Sequence, residues 1–135
     1  MRRIGVLDAN VLIRYLDREH RGHASAVRLL RRARLELYIN ELNLAEVLVR
    51  AITIGNDGEV WEAVTREMGV TPWGDTGRDW VTHLARTRAT SAPRLPTPDA
   101  VVLATALQIG GQVVSFDEEL RAAARNKRIL YQTDH

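Results

Sequence analysis

The sequence predicts an α/β fold of three layers, with helices packed on both faces of a parallel sheet. Short apolar runs recur near residues 4–7, 37–39, 70–73, 112–115 and 129–131, and segments with apolar residues at helical spacing lie between them. Gly, Pro, Asn and Asp fall at the junctions, and no repeat or low-complexity tract breaks the alternation. The chain has 135 residues, so the reading is one domain over 1–135.

Ile4-Gly5-Val6-Leu7 is a continuous apolar run, as suits a strand covered on both faces. Val11, Leu12, Tyr15 and Leu16 then switch to helical spacing. A second, amphipathic helix is expected over about 20–34, where Ala24, Val27, Leu30 and Ala33 alternate with arginines. A strand at 37–39 precedes Asn40, a helix-start residue, and the apolar spacing of Leu44, Val47, Leu48, Ala51 and Ile52. Asp57 opens a helix to about residue 68, closed by Gly69, and 70–73 is a weak third strand containing Pro72. A helix over about 76–90 leads into a proline-rich loop. Thr97 then reads as an N-cap with Pro98 at the first helical position, and 100–109 is so uniformly apolar that its helix must be buried. Gly110-Gly111 ends it. A fourth strand at 112–115, a helix from Asp117 to about 125 and a fifth strand at 129–131 complete the chain.

Composition narrows the chemistry. With 45% hydrophobic residues, a chain of this length should bury roughly two-thirds of its unfolded surface and needs neither disulfide nor structural metal. Cysteine is absent, which excludes thiolate nucleophiles, Cys-ligated zinc and iron–sulfur clusters and suits a reducing cytoplasm. The N-terminal apolar run stops at Asp8, too short for a signal peptide, and nothing approaches a membrane span. A cytoplasmic protein with no membrane association is expected. Net charge is only +2, so bulk electrostatics does not announce a nucleic-acid binder. Lys127 is the only lysine, however, leaving 18 arginines, each able to fork two hydrogen bonds onto a phosphate. Biased codon usage explains that preference equally well.

The informative residues are acids placed where hydrophobic neighbours make charge costly. Asp8 ends the first strand, Glu46 interrupts the apolar pattern of the third helix, Asp99 opens the buried helix, and Asp117 follows Val113-Val114-Ser115-Phe116. In a parallel sheet the strand ends and the starts of the following helices share one edge, the usual ligand crevice, and all four acids map to it. Each has a structural alternative. Asp8 and Asp117 could cap helices, Glu46 could pair with Arg50 at i, i+4, and Asp99 could answer a helix dipole. Convergence on one edge is what those alternatives leave unexplained. Four carboxylates brought together repel and take up protons unless a cation offsets them. Oxygen-only ligands favour Mg²⁺ or Mn²⁺, and such an ion commonly serves phosphoryl chemistry. His20 and His23, with His83 and His135 remote from them, read as a solvated face rather than a metal site, and Trp61, Trp73 and Trp80 read as packing residues. Ser115 has no histidine base near it in sequence and reads as a hydroxyl contacting the acids or a scissile phosphate.

The segments Val6-Leu7-Asp8-Ala9-Asn10-Val11-Leu12-Ile13, Leu44-Ala45-Glu46-Val47-Leu48, Leu95 through Ala106, and Val113-Val114-Ser115-Phe116-Asp117 together resemble the PIN-domain family, specifically the stand-alone toxins of VapBC toxin–antitoxin modules. The ordered set spans nearly the whole chain. The resemblance implies a five-stranded parallel sheet in order 3-2-1-4-5. It also implies that Asp8, Glu46, Asp99 and Asp117 are catalytic, with Asp8, Asp99 and Asp117 on an Mg²⁺ or Mn²⁺ ion and Glu46 acting through water or a second ion. Asn10 matches a residue supporting the first aspartate. Ser115 stands where the family often has Thr, a departure that keeps the hydroxyl. The implied reaction is endonucleolytic hydrolysis of RNA by water that the metal activates, leaving 5′-phosphate and 3′-hydroxyl ends. The implied partners are the RNA substrate, a cognate antitoxin whose tail covers the groove, and a second copy in a homodimer.

Two other readings compete. Aspartyl-phosphate phosphatases also place an aspartate after strand one, but they require Asp-x-Asp, and here Asn10 holds the third position. They also want a lysine near the site, and Lys127 is the only candidate. A non-catalytic RNA- or protein-binding module of the same fold would tolerate loss of single acids.

Overall fold

In the computed structural model, which describes residues 2–132, the chain folds as β1 (Arg3–Leu7), α1 (Ala9–Leu16), α2 (His23–Arg32), β2 (Leu35–Asn40), α3 (Glu41–Thr53), α4 (Asp57–Glu62), β3 (Thr71–Trp73), α5 (Arg78–Thr90), α6 (Thr97–Ile109), β4 (Gln112–Val114) and α7 (Glu118–Asn126). Met1 and His135 lie outside the described residues. All strand pairs are parallel, in the order β3-β2-β1-β4. Among the described residues no helix is long and apolar enough to cross a membrane.

The two faces of the sheet each carry a core, and β1 shows why. Side chains alternate along a strand, so Leu7 enters a cluster with Val11, Leu12, Ile39, Leu44, Val64 and Val114, while Val6 enters another with Leu95, Leu103, Val113, Leu120 and Leu130. The first core lies under α1 to α4, the second under α6 and α7. Helix α6 is buried from Ala100 to Ala106, as its unbroken apolar run requires. It ends where Gly110 takes φ of 71°, a left-handed cap that favours glycine. Gly111 follows because a Cβ there would stand 2.8 Å from the Ile4 side chain.

The structure corrects three expectations. Among the described residues the sheet has four strands, not five: Leu130 makes a single parallel bridge to Val113 beyond β4. Arg128 turns the chain at φ of 61°, after which the Ile129 carbonyl accepts from the Val113 N–H at 2.7 Å and the Tyr131 N–H donates to the Val113 carbonyl at 3.0 Å. The helix starting at Asp57 changes at Ala63 into a π-helical turn ending at Glu67, which directs Val64 wholly into the core before Gly69 closes the segment. Helix α6 starts one residue early, with Pro96 as cap and Thr97 as the first helical residue.

Candidate active site at the carboxyl edge of the sheet

The register of β1 against β4 builds the centre. Val6 is level with Val113 and Leu7 with Val114. One step further, the Asp8 N–H donates to the Val114 carbonyl at 3.0 Å. Asp8 and Ser115 therefore leave adjacent strands side by side. The Ser115 hydroxyl, buried, donates to Asp8 Oδ2 at 2.7 Å and accepts from the Asp117 N–H at 2.9 Å. One hydroxyl thus ties the first acid to the backbone of the last.

Asp8 occupies the N-cap position of α1 without a well-formed capping side-chain hydrogen bond, so the cap alternative accounts for it only in part. The residue is only 6% exposed. Burial pushes its pKa up, Ser115 pulls it back, and the charge of Asp117 raises it again. The backbone N–H groups of Ala9 and Asn10 also favour the charged form. Asn10 thus supports Asp8 through its main chain, while its side-chain oxygen accepts from the Phe116 N–H at 3.5 Å and steadies the loop before Asp117.

Asp117 does cap α7, accepting from the Leu120 N–H at 2.8 Å. The structural alternative holds for that oxygen without removing the residue from the cluster. Glu46 sits exposed in the second turn of α3, and its pKa is raised by burial and then by Asp8. Its expected rival partner goes elsewhere: Arg50 pairs with Asp17 at 3.3 Å. Asp99, in the first turn of α6, is pushed up to about 6, by burial first and then by Asp8, Asp117, Glu46 and Glu119. A helix dipole would have lowered it. The crowding of carboxylates overrides that.

The four acids expected from sequence are therefore within electrostatic reach of one another. Among the described residues the ion pairs are Arg50–Asp17 and Arg66–Glu62, and neither touches the cluster. Two nearby arginines are committed to other groups: Arg121 donates to the Ser115 carbonyl at 3.0 Å, and the Arg14 guanidinium lies 4.5 Å from the centre of the Phe116 ring. A set of hard oxygen donors with no cation to answer it fits Mg²⁺ or Mn²⁺. It is not a finished cage, for among the described residues no three His, Asp or Glu side chains stand together closely enough to hold an ion unaided.

Sequence reasoning missed the residues that place Asp99. Asn40 does more than start α3, where its side chain accepts from the Leu42 N–H: its amide also donates to the buried Thr105 hydroxyl of α6 at 3.0 Å. Asn43 donates to the Pro98 carbonyl at 3.1 Å, and its own Oδ1 is buried without a donor. Polar residues at 43 and 105 inside apolar helices were the available signal. Glu119 was missed because it reads as one of several acids opening α7. The three described histidines make hydrogen bonds within the fold: His20 Nδ1 accepts from the Gly22 N–H, and His23 and His83 meet the carbonyls of Arg14 and Ala104. Trp73 and Trp80 pack edge to face at 5.2 Å, whereas Trp61 is exposed.

A family model described as the PIN domain matches residues 5–126. No curated protein matches the chain in sequence. Among solved structures, a toxin–antitoxin complex from Klebsiella pneumoniae is similar with a TM-score of 0.69 and 20% identity, covering 84% of this chain and 86% of that one. VapC20 of Mycobacterium tuberculosis, a sarcin–ricin loop cleaving toxin, superposes with a TM-score of 0.72 at 16% identity over 88% of this chain and 94% of that one. VapBC2 from Rickettsia felis, bound to a DNA fragment from its promoter, gives 0.63 at 11% identity over 93% and 92%. At these identities the likeness shows the fold.

Proposed function

The chain belongs to the PIN-domain family, and from that premise we propose that it is a divalent-metal-dependent endoribonuclease acting as the toxin of a type II toxin–antitoxin pair. The observation that carries the reading is the cluster itself: a buried Asp8 tied through Ser115 to Asp117, within electrostatic reach of Asp99 and Glu46 and, among the described residues, with no ion pair to neutralise them. Asp8, Asp99 and Asp117 would hold Mg²⁺ or Mn²⁺, with Glu46 reaching it through water or a second ion. Such an ion, when bound, supplies activation of water and neutralisation of phosphodiester charge. The chain's own part is orientation. Ser115 donates a hydrogen bond to Asp8 Oδ2 and would leave the other carboxylate oxygen for the ion, Asn10 fixes the Phe116 loop, and Asn40 and Asn43 hold α6, which carries Asp99.

RNA is the proposed substrate, in keeping with the similar Mycobacterium toxin. The phosphatase alternative loses its lysine: Asp117 caps the start of α7 and Lys127 caps its end, about 15 Å away along the helix axis. The antitoxin partner is supported by a groove of about 380 Å³ lined by Ile13, Leu16, Val47 and Val60, with Glu46, Arg18 and the Arg50–Asp17 ion pair also lining it. Apolar residues of an inhibitor tail fit its floor, and a basic side chain would meet Glu46 in a charge-assisted hydrogen bond, Asp17 being already paired. A homodimer is supported by the exposed stripe Leu42, Val49 and Ile52 on α3, spaced by seven and three residues.

The test is incubation of the purified chain with end-labelled RNA in Mg²⁺ or Mn²⁺, with chelator and Asp8→Asn as controls. Metal-dependent internal cuts with 5′-phosphate and 3′-hydroxyl ends are expected. Cleavage that persists undiminished in the Asp8→Asn protein, or phosphomonoester hydrolysis without RNA cleavage, would refute the assignment.

A further inference from the structure

The end of the sheet opposite the acids carries a second charged feature. Arg2 immediately precedes β1 and Arg3 opens it, Arg31 lies in the last turn of α2, and Arg34 immediately precedes β2; together with Ala33 they line an open cavity of about 670 Å³ that no acidic side chain lines. Arg3 is level with Leu35 in the β1–β2 register, and one step back along it brings Arg2 beside Arg34. Like charges side by side on neighbouring strands destabilise the pairing. Within the described residues none of the four is in an ion pair or donates a side-chain hydrogen bond.

The ordinary explanation for cations here is the carboxyl end of α2, whose partial negative charge Arg31 and Arg32 complement. That charge is about half an elementary unit, and two arginines of the helix's own last turn already exceed it. Arg2 and Arg3 come from a different element and are left over. A concave surface of planar guanidinium forks with no internal acid is suited to several phosphate oxygens at once.

We propose that this amino-edge cavity binds the phosphate backbone of RNA as a second contact, remote from the acids. The choice of RNA over other polyanions rests on the nuclease reading above; the charge geometry does not. Arg3 opens β1 and Asp8 follows its last residue, about 16 Å apart at roughly 3.3 Å per residue. Because β1 is covered on both faces, an RNA joining the two must pass outside the helices, so a stacked strand rising about 3.4 Å per nucleotide needs more than about five nucleotides. The surface therefore selects for RNA longer than the few nucleotides at the scissile bond, and it supplies the attraction that a groove of carboxylates denies to a polyanion.

The experiment measures binding of a twelve-nucleotide single-stranded RNA by anisotropy, in chelator and on the Asp8→Asn background, so that cleavage plays no part. Four phosphate contacts on a single strand correspond to a salt slope of about 3. The variant Arg2→Gln/Arg3→Gln/Arg31→Gln/Arg34→Gln is expected to lose that slope and to bind at least about tenfold more weakly at 50 mM salt. Should that protein not fold by circular dichroism, Arg31→Gln/Arg34→Gln alone is expected to lose about half the slope. Arg66→Gln/Arg86→Gln, which removes two exposed arginines elsewhere, is expected to bind as the parent does. An unchanged slope in the cavity variants, an equal loss in the Arg66/Arg86 control, or displacement of the RNA by poly-glutamate of matched charge would each overturn the proposal, the last by pointing to an acidic protein instead. A chain that binds RNA through these arginines but cuts none would sink the nuclease reading and leave this inference standing.

Discussion

A carboxylate at the end of a buried strand is stable only if something answers its charge, and at Asp8 a serine hydroxyl does part of this. Ser115→Ala removes the bond to a mostly buried acid and the acceptor for the Asp117 N–H, so it should destabilise the fold by about 1.5–3 kcal/mol in urea titration. Ser115→Thr, which keeps the hydroxyl, should restore most of that loss. If the two variants prove equally stable, the hydroxyl is not what secures the pair. Asp99 gives a pH signature with an unusual sign. Its folded pKa is about 6 against an ordinary value of 3.8, so between those values the folded state holds more protons than the unfolded. Stability therefore falls as pH rises from about 4 to about 6, and the full penalty is present above that range. Asp99→Asn removes the penalty. In chelator the variant should melt above the parent at pH 7, and the gap should close at pH 4; a gap independent of pH would show that carboxylate crowding is not its cause.

At the scale of elements, the site depends on how α3 holds α6. Asn40 joins β2, α3 and α6 through one side chain, capping α3 with its oxygen and reaching Thr105 with its amide. Asn40→Ala should cost roughly 2–4 kcal/mol, the loss of a cap plus a buried hydrogen bond. Asn40→Asp keeps the cap but not the amide donor, and it adds a further buried acid beside the strand ends, so it should be no better. Denaturant midpoints decide this: an Asp variant as stable as the parent would mean the Thr105 bond contributes nothing.

For the whole molecule, cation binding and folding are linked, since ligands that bind only the native state stabilise it by about 2.7 kcal/mol at a hundred times Kd. Mn²⁺ should raise the melting temperature of the parent and leave that of Asp8→Asn unmoved; an equal rise in both would place the ion elsewhere. The α3 stripe leaves Leu42, Val49 and Ile52 60–64% exposed. Val49→Glu should convert a dimer to a monomer in sedimentation without lowering the melting temperature of the isolated chain, and a wild-type chain that sediments as a monomer would remove that role from the stripe.

Local sequence was sufficient for the alternation of strands and helices, because short continuous apolar runs give way to apolar spacing of about 3.6 at each junction and Gly, Pro and Asn mark the breaks. It was also sufficient to put Asp8, Glu46, Asp99 and Asp117 on one edge, since in a parallel sheet strand polarity alone decides where strand ends lie. What it could not supply was anything set by register or by distant packing. The pairing of Asp8 with Ser115 depends on the alignment of β1 with β4, 107 residues apart. The reduction of the last strand to one bridge depends on how tightly Arg128 turns out of α7. The joining of Asn40 to Thr105, 65 residues away, and the gathering of Arg2, Arg3, Arg31 and Arg34 at the far edge are likewise products of the folded sheet. Periodicity is a property of neighbours along the chain, whereas contact between charges and hydrogen-bonding groups is a property of space, and only the packed tertiary structure converts one into the other.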